Sequence, residues 1–278
     1  MKISDRVNKS SRPAALLLLL SLTPVALAMN PKAQALLLQS VKESEYVQTR
    51  NASLRHITQA CTLDPDNAVC WRQKGIILNL MDEQEEALPC LEKSLKLDDK
   101  DCVAWNNYAA TLTSLRRYPE ALTAIERAQK IHDTPLGRIT RAAVFAKLQK
   151  YEAAENELDI AVKLDPNEVM ARIRRPSISA KLGHWDKVIA DQNYLIPINK
   201  ANSYGMAGHL QSRAYAYTQL KQYDKAIADY KEALKSNPDM RQLHAGLLDS
   251  YRRKGDAAGI KSETAKLQAI DDDMRPSK

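Results

Sequence analysis

An all-α fold of repeated helical hairpins is predicted by three features of the sequence. Related segments recur at a spacing of 34 residues, each period carries two apolar stripes of helical spacing, and glycine is scarce, at 8 of 278 residues. Hydrophobic residues make up 44% of the chain, enough for a core, and the only phenylalanine is Phe145. Few glycines argue against a turn-rich β protein and for helices joined by short connections.

The period is read from matching residues. Trp71, Gly75 and Leu78 are followed by Ala87, Leu91 and Ser94; one period later stand Trp105, Ala109 and Leu112, then Ala121, Ile125 and Ala128. The second half recurs as Ala154, Leu158, Ala161 and Pro166, and as Ala226, Tyr230, Ala233 and Pro238. The small residues (Gly75, Ala109, Ala142 and Ala214 on first helices; Ala87, Ala121, Ala154 and Ala226 on second ones) let two helix backbones approach. Leu91, Ile125, Leu158 and Tyr230 are long enough to reach the neighbouring hairpin. Asp64-Pro65, Asp165-Pro166 and Asn237-Pro238 stop one helix before the next begins, because the residue before proline avoids the helical region. One hairpin cannot bury both of its faces, so stacking is required.

The units fall at about 34–67, 68–101, 102–134, 135–168, 169–206 and 207–240, with a C-terminal capping hairpin over 241–270, a short linker at 29–33 and a polar tail at 271–278. The first unit keeps mainly Ile57, Ala60 and Pro65, as expected of a terminal repeat that caps a stack. The fifth departs in two ways. Pro176 falls inside its first helix, and the unit runs about four residues long, through Leu195–Asn199 and Ser203–Gly205. It reads either as a drifted repeat packed with a bend or as a hinge or altered pocket.

This pattern resembles the tetratricopeptide repeat, W-x2-L-G-x2-Y, then A-x3-F, then P, over 34 residues. The resemblance covers nearly all of the chain after residue 28. It implies an α-solenoid, a right-handed superhelix of about six to seven hairpins, and a protein–protein interaction scaffold rather than an enzyme. Such proteins bind peptides on the concave surface formed by first helices. The residues that would line it here are Arg72, Ile76, Asn79, Asn106, Asn107, Ala110, Thr113, Arg141, Arg174, Gln211, Tyr215 and Gln219. Asn107 matches an asparagine that contacts peptide backbone in several family members. The lysine and arginine that accompany it in a chaperone-tail carboxylate clamp are replaced by Leu136 and Thr140, which argues against that ligand.

The first 28 residues have their own character. Lys2, Arg6, Lys9 and Arg12 precede an apolar run from Ala14 to Leu22 broken only by Ser21, and Ala26-Leu27-Ala28 offers small residues for a signal peptidase. That order is a secretory signal peptide with cleavage near Ala28, and it predicts a periplasmic or secreted protein. The alternative is an uncleaved anchor, although the apolar run is shorter than the ~20 residues a membrane span needs. No cysteine follows the cleavage site to take a lipid. The chain is +7 and the leader contributes +3, from four cations and Asp5, which leaves about +4 after cleavage. That is too little, spread too widely, for an electrostatic nucleic-acid binder.

None of the common catalytic or phosphate-binding signatures is present, and the five histidines (His56, His132, His184, His209 and His244) are widely separated, so no catalytic residue, cofactor or metal site is expected. Cys61, Cys70, Cys90 and Cys102 lie within 42 residues, and in an exported protein an even, clustered set suggests disulfides. Cys61 with Cys70 flanks a single turn and is the easiest pair; Cys70 with Cys102 is the rival, and buried reduced thiols are the plain alternative. Arg172, Arg174 and Arg175 form the densest basic cluster. On a helix the first and last share a face and Arg174 points elsewhere, so the cluster is either a solvated face or an anion site in the groove.

The leading expectation is therefore an exported scaffold holding a peptide or partner helix in its groove. A structural subunit or assembly factor of an envelope or secretion complex, bound through convex or edge surfaces, is the second. The regulatory arm of an enzyme complex is the third.

Overall fold

The computed structural model describes residues 29–198 and 203–273; the leader, residues 199–202 and residues 274–278 lie outside the described residues, as do the side chains of Ser203 and Tyr204. Among the described residues there are fourteen α-helices and no strand: α1 (Pro31–Ser44), α2 (Arg50–Leu63), α3 (Ala68–Leu80), α4 (Gln84–Leu97), α5 (Cys102–Ser114), α6 (Tyr118–Ile131), α7 (Pro135–Lys147), α8 (Tyr151–Leu164), α9 (Val169–Leu182), α10 (Trp185–Ile198), α11 (Ser203–Gln219), α12 (Tyr223–Ser236), α13 (Arg241–Lys254) and α14 (Ala257–Asp273). The chain divides into two compact units, residues 1–148 with α1–α7 and residues 149–278 with α8–α14.

The starts of several helices are written in the sequence. Asn67 accepts from Val69 N and Cys70 N, Asp101 from Val103 N and Ala104 N, and Thr134 from Gly137 N. These caps satisfy backbone donors that a helix start leaves unpaired, each worth about 1 kcal/mol. The turns within hairpins are equally regular. A residue in the left-handed region closes the first helix at Asp82, Arg116, Gln149, Gly183, Lys221 and Gly255. Neighbouring members stand 33 or 34 residues apart except for Gly183 and Lys221, which are 38 apart. The four extra residues of the fifth repeat therefore lie between those two turns.

Packing follows the small-against-large scheme. A Cβ on Gly75 would lie 2.6 Å from Leu91 Cγ, so α3 and α4 approach as closely as they do only because that position carries no side chain. Leu91, Ile125 and Leu158 are almost wholly buried. Each contributes about 1.5–3 kcal/mol of burial. Trp71 and Trp105 repeat one bond as well as one position, their Nε1 donating to Pro65 O and Asp99 O, both at 2.8 Å.

In the first unit α1 contacts α3, α3 contacts α5, and α5 contacts α7; in the second, α11 contacts α13. Within α1–α7, and again at α11 and α13, first helices thus stand side by side. The first hairpin begins at Pro31, inside the stretch expected to be linker, and Met29 is buried with Ala33 and Leu37. Helix α11 starts at Ser203, four residues before the expected boundary. Pro176 does not interrupt α9, which runs continuously past it.

Candidate functional site

In residues 1–148 the structure sorts the expected groove residues into two sets. Arg72 is turned inward: it is 4% exposed, and its Nη1 donates to Asp101 Oδ2, the carboxylate that caps α5. Asn106 is also buried, its Nδ2 donating to Thr134 Oγ1 at 3.4 Å beside the start of α7. These two side chains join successive repeats rather than face solvent. Thr113 is bonded back to Ala109 O at 2.7 Å. Arg141 is half-buried, donates to Gln129 Oε1 at 3.2 Å and lies over the Phe145 ring.

Asn79, Asn107, Ile76 and Ala110 stay half-exposed on the shared face of α3 and α5. Asn79 Nδ2 donates to Thr111 Oγ1 at 2.8 Å, and the Thr111 hydroxyl donates in turn to Asn107 O at 2.9 Å. Asn107 Nδ2 donates to Val103 O at 2.8 Å, which leaves its side-chain oxygen as the group presented outward.

In residues 149–278 the basic cluster separates as helical phase dictates. Arg172 and Arg175 both reach Asp191 on α10, and Arg175 also donates to Asp159 Oδ1 at 2.8 Å. Burial works against the Arg175 charge, yet the paired carboxylates win and hold its pKa above the usual arginine value. Glu155 sits at the other end of this network, accepting from Ser179 Oγ (2.6 Å) and Lys187 Nζ (2.8 Å) and facing His184 Nδ1 (2.8 Å). Burial pushes its carboxyl pKa up, but the bonds from Lys187, Ser179 and His184 outweigh it and hold the carboxyl below the usual glutamate range. Arg174 stands apart: it is exposed, and its side chain makes no hydrogen bond or ion pair among the described residues. Met170 and Ile173, also exposed, share its side of α9.

A cavity of about 350 Å³ opens between α9, α11 and α13, and Gln211 and Tyr215 are among its lining residues. Its wall also includes Trp185, Gly208, Ser212, Tyr230, Gln242 and Gly246, none of which the repeat pattern placed in a groove. The Trp185 ring meets Tyr215 edge-on, centroids 5.5 Å apart at 75°.

The four cysteines are thiols in the structure. Cys61 and Cys70 lie in one core cluster, and the neighbouring Cys70 thiol together with burial drives the Cys61 pKa upward. Burial raises Cys90 and Cys102 as well. Among the described residues no group of three histidines, cysteines or carboxylates is arranged to hold a metal, and no helix is long and apolar enough to cross a membrane.

Two models of the tetratricopeptide repeat match the sequence, one over residues 90–123 and the other over 209–240. Each match is about one repeat long. Solved structures agree on the all-α solenoid fold. YrrB, a tetratricopeptide-repeat protein with an unusual peptide-binding site, superposes with a TM-score of 0.52 at 21% identity, over 67% of this chain and 95% of its own. PilF of Pseudomonas aeruginosa superposes with a TM-score of 0.61 at 14% identity, over 77% and 96%. In sequence, Hsp70-Hsp90 organizing protein 3 of Arabidopsis thaliana is 32% identical over 111 residues, 39% of this chain and 18% of that protein. The matched stretch thus spans about a fifth or less of the curated relatives.

Proposed function

We propose that this protein is an exported interaction scaffold whose first-helix face holds a peptide or a segment of a partner protein. Tetratricopeptide-repeat proteins act as protein–protein interaction scaffolds, and the repeats here supply the same kind of face. The observation that carries the reading is the division of labour on first helices. Arg72 and Asn106 are consumed by bonds between repeats and Arg172 and Arg175 by bonds to Asp191 within one, while Asn107, Arg174, Gln211 and Tyr215 remain outward with unused hydrogen-bonding groups. A peptide laid across such a face gains main-chain hydrogen bonds for affinity and side-chain pockets for selectivity. Leu136 and Thr140 occupy the places of the clamp cations, so a chaperone's C-terminal carboxylate is not the proposed ligand despite the likeness to chaperone organizers.

Export rests on the basic leader, apolar run and Ala26-Leu27-Ala28 of the sequence. Processing near Ala28 leaves the mature chain starting beside Met29, which packs into the first hairpin. N-terminal sequencing of the protein recovered from the envelope should read from Met29 or within a residue or two of it.

The binding test compares affinity capture from the envelope fraction by the wild-type protein and by a triple variant, Asn107→Ala, Arg174→Ala, Tyr215→Ala. None of the three is in a buried ion pair, so the variant should fold. Loss of the captured partner supports the groove; retention moves the contact to second-helix faces or edges, as in a structural subunit.

A further inference from the structure

Helix α14 is docked by an acid. Of its seventeen residues the one fully buried is Glu263, whereas α12 buries five residues and α13 six. Its apolar side chains Ile260, Leu267 and Ile270 are only partly buried. Glu263 Oε2 faces His244 Nδ1 at 2.6 Å, and the other ring nitrogen, Nε2, lies 2.7 Å from Pro238 O in the connection from α12 to α13. The two side chains are 6% and 4% exposed.

Both partners of the ring are acceptors. A neutral imidazole has one N–H to give, so only a ring carrying both protons satisfies the two oxygens. Glu263 does not supply the missing proton. Burial pushes its carboxyl up, but Lys266, bonded to Oε1 at 2.9 Å, and His244 outweigh it and hold it below the usual glutamate range. His56 and His184 differ: each meets a carboxylate through one nitrogen and is partly exposed. The charges around His244 balance. Lys231 and Lys235 of α12, Asp239 of the connection, and Glu263, Lys266 and Asp273 of α14 line a cleft of about 550 Å³ beside the ring. Three lysines thus face three carboxylates, and the exposed Arg241–Asp271 pair adds one charge of each sign.

We propose that His244 and Glu263 form a proton-dependent strap that holds α14 on the end of the second unit and releases it when the ring gives up a proton. With one N–H left, the ring turns a lone pair on either Pro238 O or the carboxylate, and a buried acceptor without a donor is costly. Leu234 and Leu247, which share the cleft with Ala269 and Ile270 of α14, are then uncovered. The grip has two limits. It is lost as pH rises through the range in which histidines titrate, about 5 to 8. It is also lost as pH falls from the usual glutamate value of 4.5 through the lower folded value of Glu263. The strap is independent of the groove.

Amide hydrogen–deuterium exchange of the full-length protein at about pH 5.5 and about pH 8.5, corrected for the intrinsic pH dependence of exchange, tests the strap. Protection across α14 should fall about ten-fold or more relative to α12, the worth of one lost hydrogen bond to a charged group. In His244→Gln, α14 should be poorly protected at both pH values; in His184→Gln the wild-type response should persist. Equal α14 protection at both pH values in wild type, or a response that survives in His244→Gln, overturns the strap. Should His244→Gln fail to fold, nitrogen NMR of the wild-type ring decides. Loss of the second ring proton should coincide with loss of α14 protection, and a ring that titrates while α14 stays protected overturns the proposal.

Discussion

Arg175 holds Asp191 through two hydrogen bonds, Nε to Oδ2 at 2.9 Å and Nη2 to Oδ1 at 2.6 Å, and Asp191 is fully buried. Arg172 adds a third contact at 3.3 Å. Between the two arginines lies Pro176's effect: its ring nitrogen has no hydrogen to give Arg172 O, so α9 lacks one internal bond there. The paired arginines fasten α9 to α10 across the same stretch. Asp191→Ala takes from the buried Arg175 guanidinium two of its three hydrogen bonds and leaves it Asp159 alone, and breaking a buried pair costs about 3–5 kcal/mol. Urea unfolding of wild type and variant measures it; a change below 1 kcal/mol would show the network to be dispensable.

Acid should weaken the same region. Glu155 has a carboxyl pKa lowered by Lys187, Ser179 and His184 against an opposing burial effect, so folding favours its ionised form. The stabilisation is complete above the ordinary glutamate value of 4.5 and is lost as pH falls from there through the lower folded value. Glu155→Gln should therefore be less stable than wild type at pH 7, and the gap should narrow between about pH 5 and pH 3. Thermal melts across that range decide the point; a gap that stays constant with pH assigns the effect to packing.

Glycine-to-alanine changes at two helical positions should have opposite signs. At Gly75 the new methyl meets Leu91 Cγ at 2.6 Å and Ala87 O at 3.2 Å, and overpacking of this kind costs about 1–3 kcal/mol. At Gly208, inside α11 and exposed, the methyl meets nothing and removes unfolded-state entropy, a gain of about 0.5–1 kcal/mol. Chemical denaturation of the two variants beside wild type tests the pair, and equal signs would refute the packing account.

Much of this was legible because the repeat records local and nearest-neighbour physics. Trp71 and Trp105 mark the period and make the same bond, and Gly75 opposite Leu91 is a small-to-large pairing that spacing alone exposes. Helical phase likewise separated Arg174 from Arg172 and Arg175. What spacing cannot say is which way a long polar side chain turns. Arg72 was expected in the groove, but Asp101, 29 residues on, supplies a carboxylate at the next helix start, and the arginine bends inward to it. Asn106 is drawn to Thr134 in the same manner.

The cysteines offer the last test, because the structure discriminates between pairings that the sequence left open. Cys61 and Cys70 belong to one core cluster on either side of the turn from α2 to α3, while Cys90 belongs to a separate cluster with Leu78 and Ala87. In an oxidising compartment the first pair should close into a disulfide, with Cys90 and Cys102 left as thiols. The ring is short, about ten residues, so the bond should add about 2–3 kcal/mol by constraining the unfolded chain. In the reduced protein both thiols should alkylate slowly, because the Cys61 pKa is raised and Cys70 is buried against it, and thiolate is the reactive form. Peptide mapping of protein purified from the envelope, alkylated before reduction, identifies the linkage. A Cys70–Cys102 peptide, or four alkylated cysteines, would overturn the assignment. Cys61→Ser should lower stability more under oxidising than under reducing conditions, and the difference separates the covalent contribution from the packing of the buried sulfur.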